Sequence, residues 1–213
     1  MTALKQMPLS FPVNPALARE DFLVSDSNRE ALAWIDRWPY WNAPVLYIHG
    51  PAGAGKTHLA SIWRGMVGHE AQVIEDIDQQ IAGNRPQEEI LFHLYNRVRQ
   101  SPGSVLMTGT RPLALVNFAI PDLASRLRGS PQVAIGLPDE DLLRVLLVKL
   151  FADRQMRIDV SLIEYIIPRM ERSFAAASAI VAELDRISLT EKRPPSLSMA
   201  RKLLDPMQEA LFL

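Results

Sequence analysis

The residues whose types and spacing could do chemistry are Gly50-Pro51-Ala52-Gly53-Ala54-Gly55-Lys56-Thr57. They satisfy G-x-x-x-x-G-K-[ST], the phosphate-binding P-loop pattern. Glycines and small residues let consecutive backbone N–H groups turn inward round an anion, and a following helix adds partial positive charge at its N-terminus. In that arrangement Lys56 reaches the β and γ phosphates of a nucleotide and Thr57 offers a hydroxyl to Mg²⁺. Pro51, Ala52, Gly53, Ala54, Gly55, Lys56, Thr57 and the next residue, His58, are therefore candidate nucleotide contacts. A second stretch, Val73-Ile74-Glu75-Asp76-Ile77-Asp78, is apolar and runs into acids. It reads as a Walker B strand, whose end carries the carboxylates on the metal side of the phosphates. Thr57, Glu75 and Asp76 are the candidate Mg²⁺ ligands, and Asp76 is also a candidate for orienting water.

These residues need a strand before the loop and a helix after it. Val45-Leu46-Tyr47-Ile48 is a short run of strand formers, and Leu59, Ala60, Ile62, Trp63, Met66 and Val67 recur at helical spacing. Upstream, Ser27 and Glu30 form a capping-box pattern, predicting a helix from there with Leu32, Ile35 and Trp38 on its apolar side and Pro39 at its end. Downstream, residues 86–100 read as a helix with Pro86 in its first turn and Ile90, Leu94 and Val98 facing inward. Residues 104–112 read as a strand ending in polar groups, and 132–137 as the last strand. After Pro138-Asp139 the pattern turns helical. Leu142, Val145, Leu146 and Leu150 mark one helix, and further helices cover about 160–169, 174–188 and 197–204. Pro8, Pro12 and Pro15 make residues 1–20 an extended arm.

Composition narrows the class. At 213 residues the chain fits a core domain with a smaller appendage, and 48% hydrophobic content is ample for a packed core. A net charge of −1 gives no general basic field for nucleic acid. The absence of cysteine excludes disulfides, thiolate nucleophiles and cysteine–zinc sites, and His49, His58, His69 and His93 are too scattered for a histidine metal motif. No apolar run is long enough to span a membrane, and no signal pattern opens the chain, so a cytoplasmic protein without a membrane partner is expected.

Several further segments resemble the DnaA/Hda family of AAA+ proteins. Phe22-Leu23-Val24-Ser25-Asp26-Ser27-Asn28 is similar to the motif with which DnaA initiators hold the adenine end of a nucleotide, with Ser25 where glycine is usual. The resemblance makes Phe22, Leu23, Val24 and Asn28 nucleotide contacts. Thr110, where the family often has Asp, falls at sensor 1, the polar group that feels the γ-phosphate. Pro121-Asp122-Leu123-Ala124-Ser125-Arg126-Leu127 matches the family's box VII, which makes Arg126 the arginine finger offered to nucleotide on a neighbouring subunit, with Arg128 a reserve cation. Gln6-Met7-Pro8-Leu9-Ser10-Phe11 resembles the hexapeptide by which bacterial replication proteins dock on the DNA polymerase sliding clamp, its β subunit; Gln6, Met7, Leu9 and Phe11 would make the contact.

The chain also departs from the family. Its acidic pair begins with Glu75 rather than Asp, which implies slow intrinsic hydrolysis. Ala175 stands at the sensor 2 position, with Arg172 about a turn earlier. Only a short stretch joins Lys56 to Val73 where the family usually has a further strand and helix, a unit either lost or omitted from this sequence; since that region touches single-stranded DNA in the initiators, no such contact is expected here. The resemblance implies an α/β AAA+ P-loop fold: an arm at 1–20, a parallel-sheet nucleotide domain at 21–138 and a helical lid at 139–213. It implies ADP or ATP with Mg²⁺ as cofactors, the sliding clamp and DnaA as partners, no sequence-specific DNA binding, and a homodimer among the assemblies open to it. The activity implied is that of the family's Hda members: docked on the clamp, the protein stimulates hydrolysis of DnaA-bound ATP and prevents re-initiation. The rivals are an autonomous AAA+ motor and an adaptor that needs no trans-acting arginine.

Overall fold

A computed structural model describes residues 19–100 and 103–205. Its centre is a four-stranded parallel sheet in the order β2-β3-β1-β4, made of β1 (Val45–His49), β2 (Gln72–Ile74), β3 (Val105–Gly109) and β4 (Gln132–Ala134). Strands covered on both faces need apolar residues at every position, and Val45, Leu46, Tyr47 and Ile48 are all 0% exposed. Their side chains alternate between two cores. Leu46 and Ile48 face α1 (Arg29–Asp36) and α2 (Lys56–Val67), where Ile35, Leu59, Ile62 and Trp63 pack. Val45 and Tyr47 face the other way, toward α3 (Ile77–Gln80), α4 (Arg85–Gln100) and α5 (Pro121–Arg128). All four tryptophans gather in or against the first core.

α2 passes through a single 3-10 turn, Gly68–Glu70, straight into β2, so the short connection noted in the sequence brings the acidic strand directly to the sheet edge. The C-terminal helices α6 (Glu140–Asp153), α7 (Val160–Ile166), α8 (Phe174–Glu191) and α9 (Leu197–Leu204) close round a core of their own, built on Leu143, Leu147, Phe151, Ile166, Val181 and Leu184.

Five local expectations are corrected. Ser27 and Glu30 form no capping box: α1 is capped at Asn28, and the Ser27 hydroxyl pairs with that of Ser25 instead. On α4 the inward line is Leu91, Tyr95 and Val98 together with Glu88, while Ile90 is 63% exposed. On α6 Val145 points outward, and Leu143, Leu147 and Phe151 join Leu142 and Leu146 inside. β4 also stops at Ala134, and α8 runs on to Glu191.

Candidate functional site

The P-loop follows β1 and turns into α2 at the carboxyl end of the sheet, where open α/β sheets take their ligands. Gly53 (φ +72°) and Gly55 (φ +97°) adopt left-handed backbone that other residues resist, and they curl the loop. Gly55 is the N-cap of α2. Lys56 is buried, and its Nζ donates to the carbonyls of Gly50 (2.8 Å) and Pro51 (3.0 Å), which holds the ammonium beneath the loop. Pro51 and Ala52 form the exposed rim. Thr57 Oγ1 donates to Glu75 Oε2 at 2.7 Å, and Arg64 lies 3.4 Å from the other Glu75 oxygen. A loop curled by two glycines, with a lysine and a 12-residue helix behind it, suits a phosphate chain. The paired hydroxyl and carboxylate are the oxygen donors that Mg²⁺ prefers, so these residues fit both groups.

At the other end of the loop, Phe22 is buried with its ring edge-on to His58, centroids 5.0 Å apart. Buried Asn28 fixes this segment: its Oδ1 accepts from the Ser25 N–H and its Nδ2 donates to the Leu23 carbonyl, each at 2.9 Å. Leu23 packs against the C-terminal bundle and Val24 is half exposed. The bundle reaches the loop through two residues that the sequence did not single out. The Phe174 N–H donates to the Gly53 carbonyl (3.1 Å), and a Cβ on Gly53 would lie 2.7 Å from Ser173 Cβ. Arg172 is turned away into an ion pair with Glu140. The bundle's contact with the loop is therefore neutral.

Thr110 sits at the end of β3, but its partner was missed. The carboxylate of Asp78, fully buried, accepts the Thr110 N–H (3.0 Å to each oxygen) and the Thr110 hydroxyl, with Arg111 Nε 3.6 Å away. Tyr47 donates to the Arg111 carbonyl at 2.7 Å. A Cβ on Gly109 would lie 2.0 Å from the Tyr47 hydroxyl, so glycine there is what lets tyrosine and carboxylate approach. Burial, then the Asp78 charge, drives the Tyr47 hydroxyl well above its ordinary range. Burial lowers His49, the last residue of β1, against the pull of Asp78. Asp76, in left-handed backbone, donates its N–H to Thr108 Oγ1 (3.0 Å), so the ends of β2 and β3 are laced together. Asp78→Ala leaves the Thr110 N–H and hydroxyl without their buried acceptor and is expected to cost about 3 kcal/mol in urea unfolding. Asp78→Asn keeps an acceptor and is expected to cost less.

Arg126 points across α5 to α4. Its Nε donates to Asp122 (3.1 Å), its Nη1 to Asn96 (2.6 Å), and its guanidinium lies 5.0 Å from the Phe92 ring centre. Glu88, 0% exposed, fixes the start of α5 by accepting the N–H groups of Ala119 (2.9 Å) and Ile120 (2.8 Å), and it also takes that of Gly83. Arg128 is engaged by the carbonyls of Leu113 and Val116, which makes it a loop staple rather than a reserve cation. Gln6, Met7, Leu9 and Phe11 lie outside the described residues. A groove of about 550 Å³ between Trp38, Trp41, Pro44 and Arg99 opens at the opposite end of the strands, the wrong end for a P-loop ligand.

No known family profile matches the chain. Among solved structures it is similar to domain III of the replication initiation protein DnaA from Thermotoga maritima, with a TM-score of 0.79 and 18% identity over 92% of this chain and 98% of that one. AMPPCP-bound DnaA from Aquifex aeolicus aligns with a TM-score of 0.67 and 17% identity, over 85% of this chain and 71% of that one. The Thermotoga maritima RuvB Holliday junction branch migration motor aligns with a TM-score of 0.67 and 14% identity, over 89% and 72%. Sheet, loop and neighbours together define the class: the chain has the AAA+ P-loop NTPase fold. Within that class its arrangement is DnaA-like.

Proposed function

We propose that this protein is a nucleotide-binding AAA+ regulator of chromosome replication initiation, which docks on the sliding clamp through Gln6, Met7, Leu9 and Phe11 and stimulates hydrolysis of ATP held by DnaA. In this reading residues 1–20 are the clamp-binding arm, 21–138 the nucleotide domain and 139–213 its lid. The observation that carries it is Arg126, whose guanidinium is held by Asp122, Asn96 and the Phe92 ring across α4 and α5 while its side chain stays 29% exposed. The chain's own site holds ADP or ATP. Lys56 and the loop N–H groups bind the phosphates, and residues 22–24 with Asn28 form the base end. Mg²⁺, taken by Thr57, Glu75 and Asp76, would neutralise phosphate charge. Thr110, held by Asp78, would be the polar group that senses the outer phosphate.

Two features support a resident nucleotide rather than a motor. Glu75 carries a longer carboxylate than the usual Asp, and the bundle touches the loop through Ser173 and Phe174 while Arg172 is held by Glu140. The longer carboxylate displaces the Mg²⁺ geometry, and the bundle residues that touch the loop add no positive charge to a transition state. A likeness to DnaA bound to AMPPCP supports an adenine nucleotide. Among the described residues no helix is long and apolar enough to cross a membrane. The second reading is the adaptor, favoured by one observation: Arg126 is already bonded to Asn96 and Asp122 and could serve only to hold α5.

The test loads DnaA with labelled ATP and adds this protein and DNA-bound clamp, omitting each in turn. Rapid conversion to ADP is expected only when all are present. Unaccelerated hydrolysis in the full mixture excludes the regulator, and clamp binding alone then leaves the adaptor.

A further inference from the structure

We propose that residues 19–23 form a strap through which core and bundle jointly set the nucleotide site, with Asp36 and Lys149 as its positioning residues; this rests on the nucleotide-binding reading above. The strap's residues grip different parts of the fold. Arg19 pairs with Asp36 at the end of α1, 2.9 Å away. Asp21 accepts from Lys149 of α6, whose ammonium also lies 3.7 Å from Asp153. Phe22 turns into the core, edge-on to His58, with a ring carbon 3.9 Å from where a Gly55 Cβ would be. Leu23 turns into the bundle core, and its carbonyl is held by buried Asn28. The Phe22 N–H to Arg19 carbonyl bond (3.3 Å) closes the turn between the two ion pairs.

Phe22 is thus the strap's contact with the P-loop, and its backbone is fixed on one side by the core and on the other by the bundle. The Asp21–Lys149 pair is more shielded than an ordinary surface pair, its side chains being 20% and 30% exposed. The hydrogen bond to Asp21 is the main cause that raises the Lys149 proton affinity. A bundle that shifts against the core moves Asp21, and Phe22 is the next residue.

The test is calorimetric titration of the full chain with ADP. Lys149→Met keeps the aliphatic stem and removes the cation; it is expected to weaken ADP about fivefold. Lys149→Arg restores the ion pair and is expected to stay within about twofold of the parent. In a Phe22→Ala background, Lys149→Met is expected to change nothing further, because Lys149 acts through Phe22. Unchanged ADP affinity in Lys149→Met, or equal losses in both backgrounds, overturns the strap. A Lys149→Met chain that fails to fold passes the test to Asp21→Asn, which removes one charge of the same pair and is read by the same two-background comparison. A parent chain that binds no ADP removes the nucleotide reading itself, an outcome distinct from the strap's failure.

Discussion

Replacing Lys56 by alanine is expected to weaken ADP and ATP binding about a hundredfold. The ammonium is buried, and it bonds the Gly50 and Pro51 carbonyls, so it is already held where a phosphate would meet it. Its removal takes away a charge-assisted partner of the ligand and leaves two carbonyls of the loop without their donor. Gly53→Ala reaches the same end by another route. Alanine resists φ +72°, and its Cβ would stand 2.7 Å from Ser173 Cβ, so the bundle has to leave the loop and the Phe174 N–H loses the Gly53 carbonyl. Titration with both nucleotides, alongside a thermal melt of each variant, separates lost affinity from lost fold. Parent-like affinity in Lys56→Ala would exclude the P-loop as the binding site.

The parts that were legible in the sequence are those whose physics is local. A P-loop is set by consecutive residues, and a parallel strand buried on both faces shows as an unbroken apolar run, so Val45-Leu46-Tyr47-Ile48 and the loop after it could be placed without a structure. The errors arose where a polar side chain had a distant or unexpected partner. Counting apolar residues put Ile90 on the inner face of α4, because a hydrophobic pattern has no place for Glu88, a carboxylate buried to hold amides 31 and 32 residues away. Asp78 closes the acidic run that reads as Walker B; its partner, Thr110, stands just beyond β3, 32 residues on. Its spacing, two residues after Asp76 on a strand-to-helix turn, was the only local signal available. Ser27 and Glu30 met the capping-box pattern, but no side-chain cap forms: Asn28 stands at the N-cap position and spends both ends of its amide on the preceding turn. Ser173 and Phe174 could not be found at all, since what marks them is the approach of the bundle to Gly53.

Arg126→Ala is expected to leave the fold and ADP binding intact and to abolish stimulated hydrolysis by DnaA. The transferring phosphoryl group spreads negative charge over its oxygens, and the protein's contribution is mainly positioning and positive charge. An arginine delivered in trans is worth about 10³–10⁵ in rate, so the loss should be of that order. For that role Asn96, Asp122 and the Phe92 face would hold the guanidinium between α4 and α5, where its side chain remains 29% exposed. Its three contacts involve partly exposed groups that water can satisfy when the arginine is gone, so the cost in stability is expected to be about 1 kcal/mol. Arg126→Lys is expected to be nearly as defective, because an ammonium lacks the forked donors and the flat face that phosphate oxygens and Phe92 respectively meet. Arg128→Ala is a poor control, since its guanidinium holds the Leu113 and Val116 carbonyls; Arg99→Ala, an exposed arginine on α4, is the better one and should retain full activity. Full stimulation by Arg126→Ala would sink the trans-acting arginine. Loss of ADP or clamp binding in that variant would instead make Asn96 and Asp122 the purpose of the residue, a brace between α4 and α5, and would leave the adaptor as the function that fits.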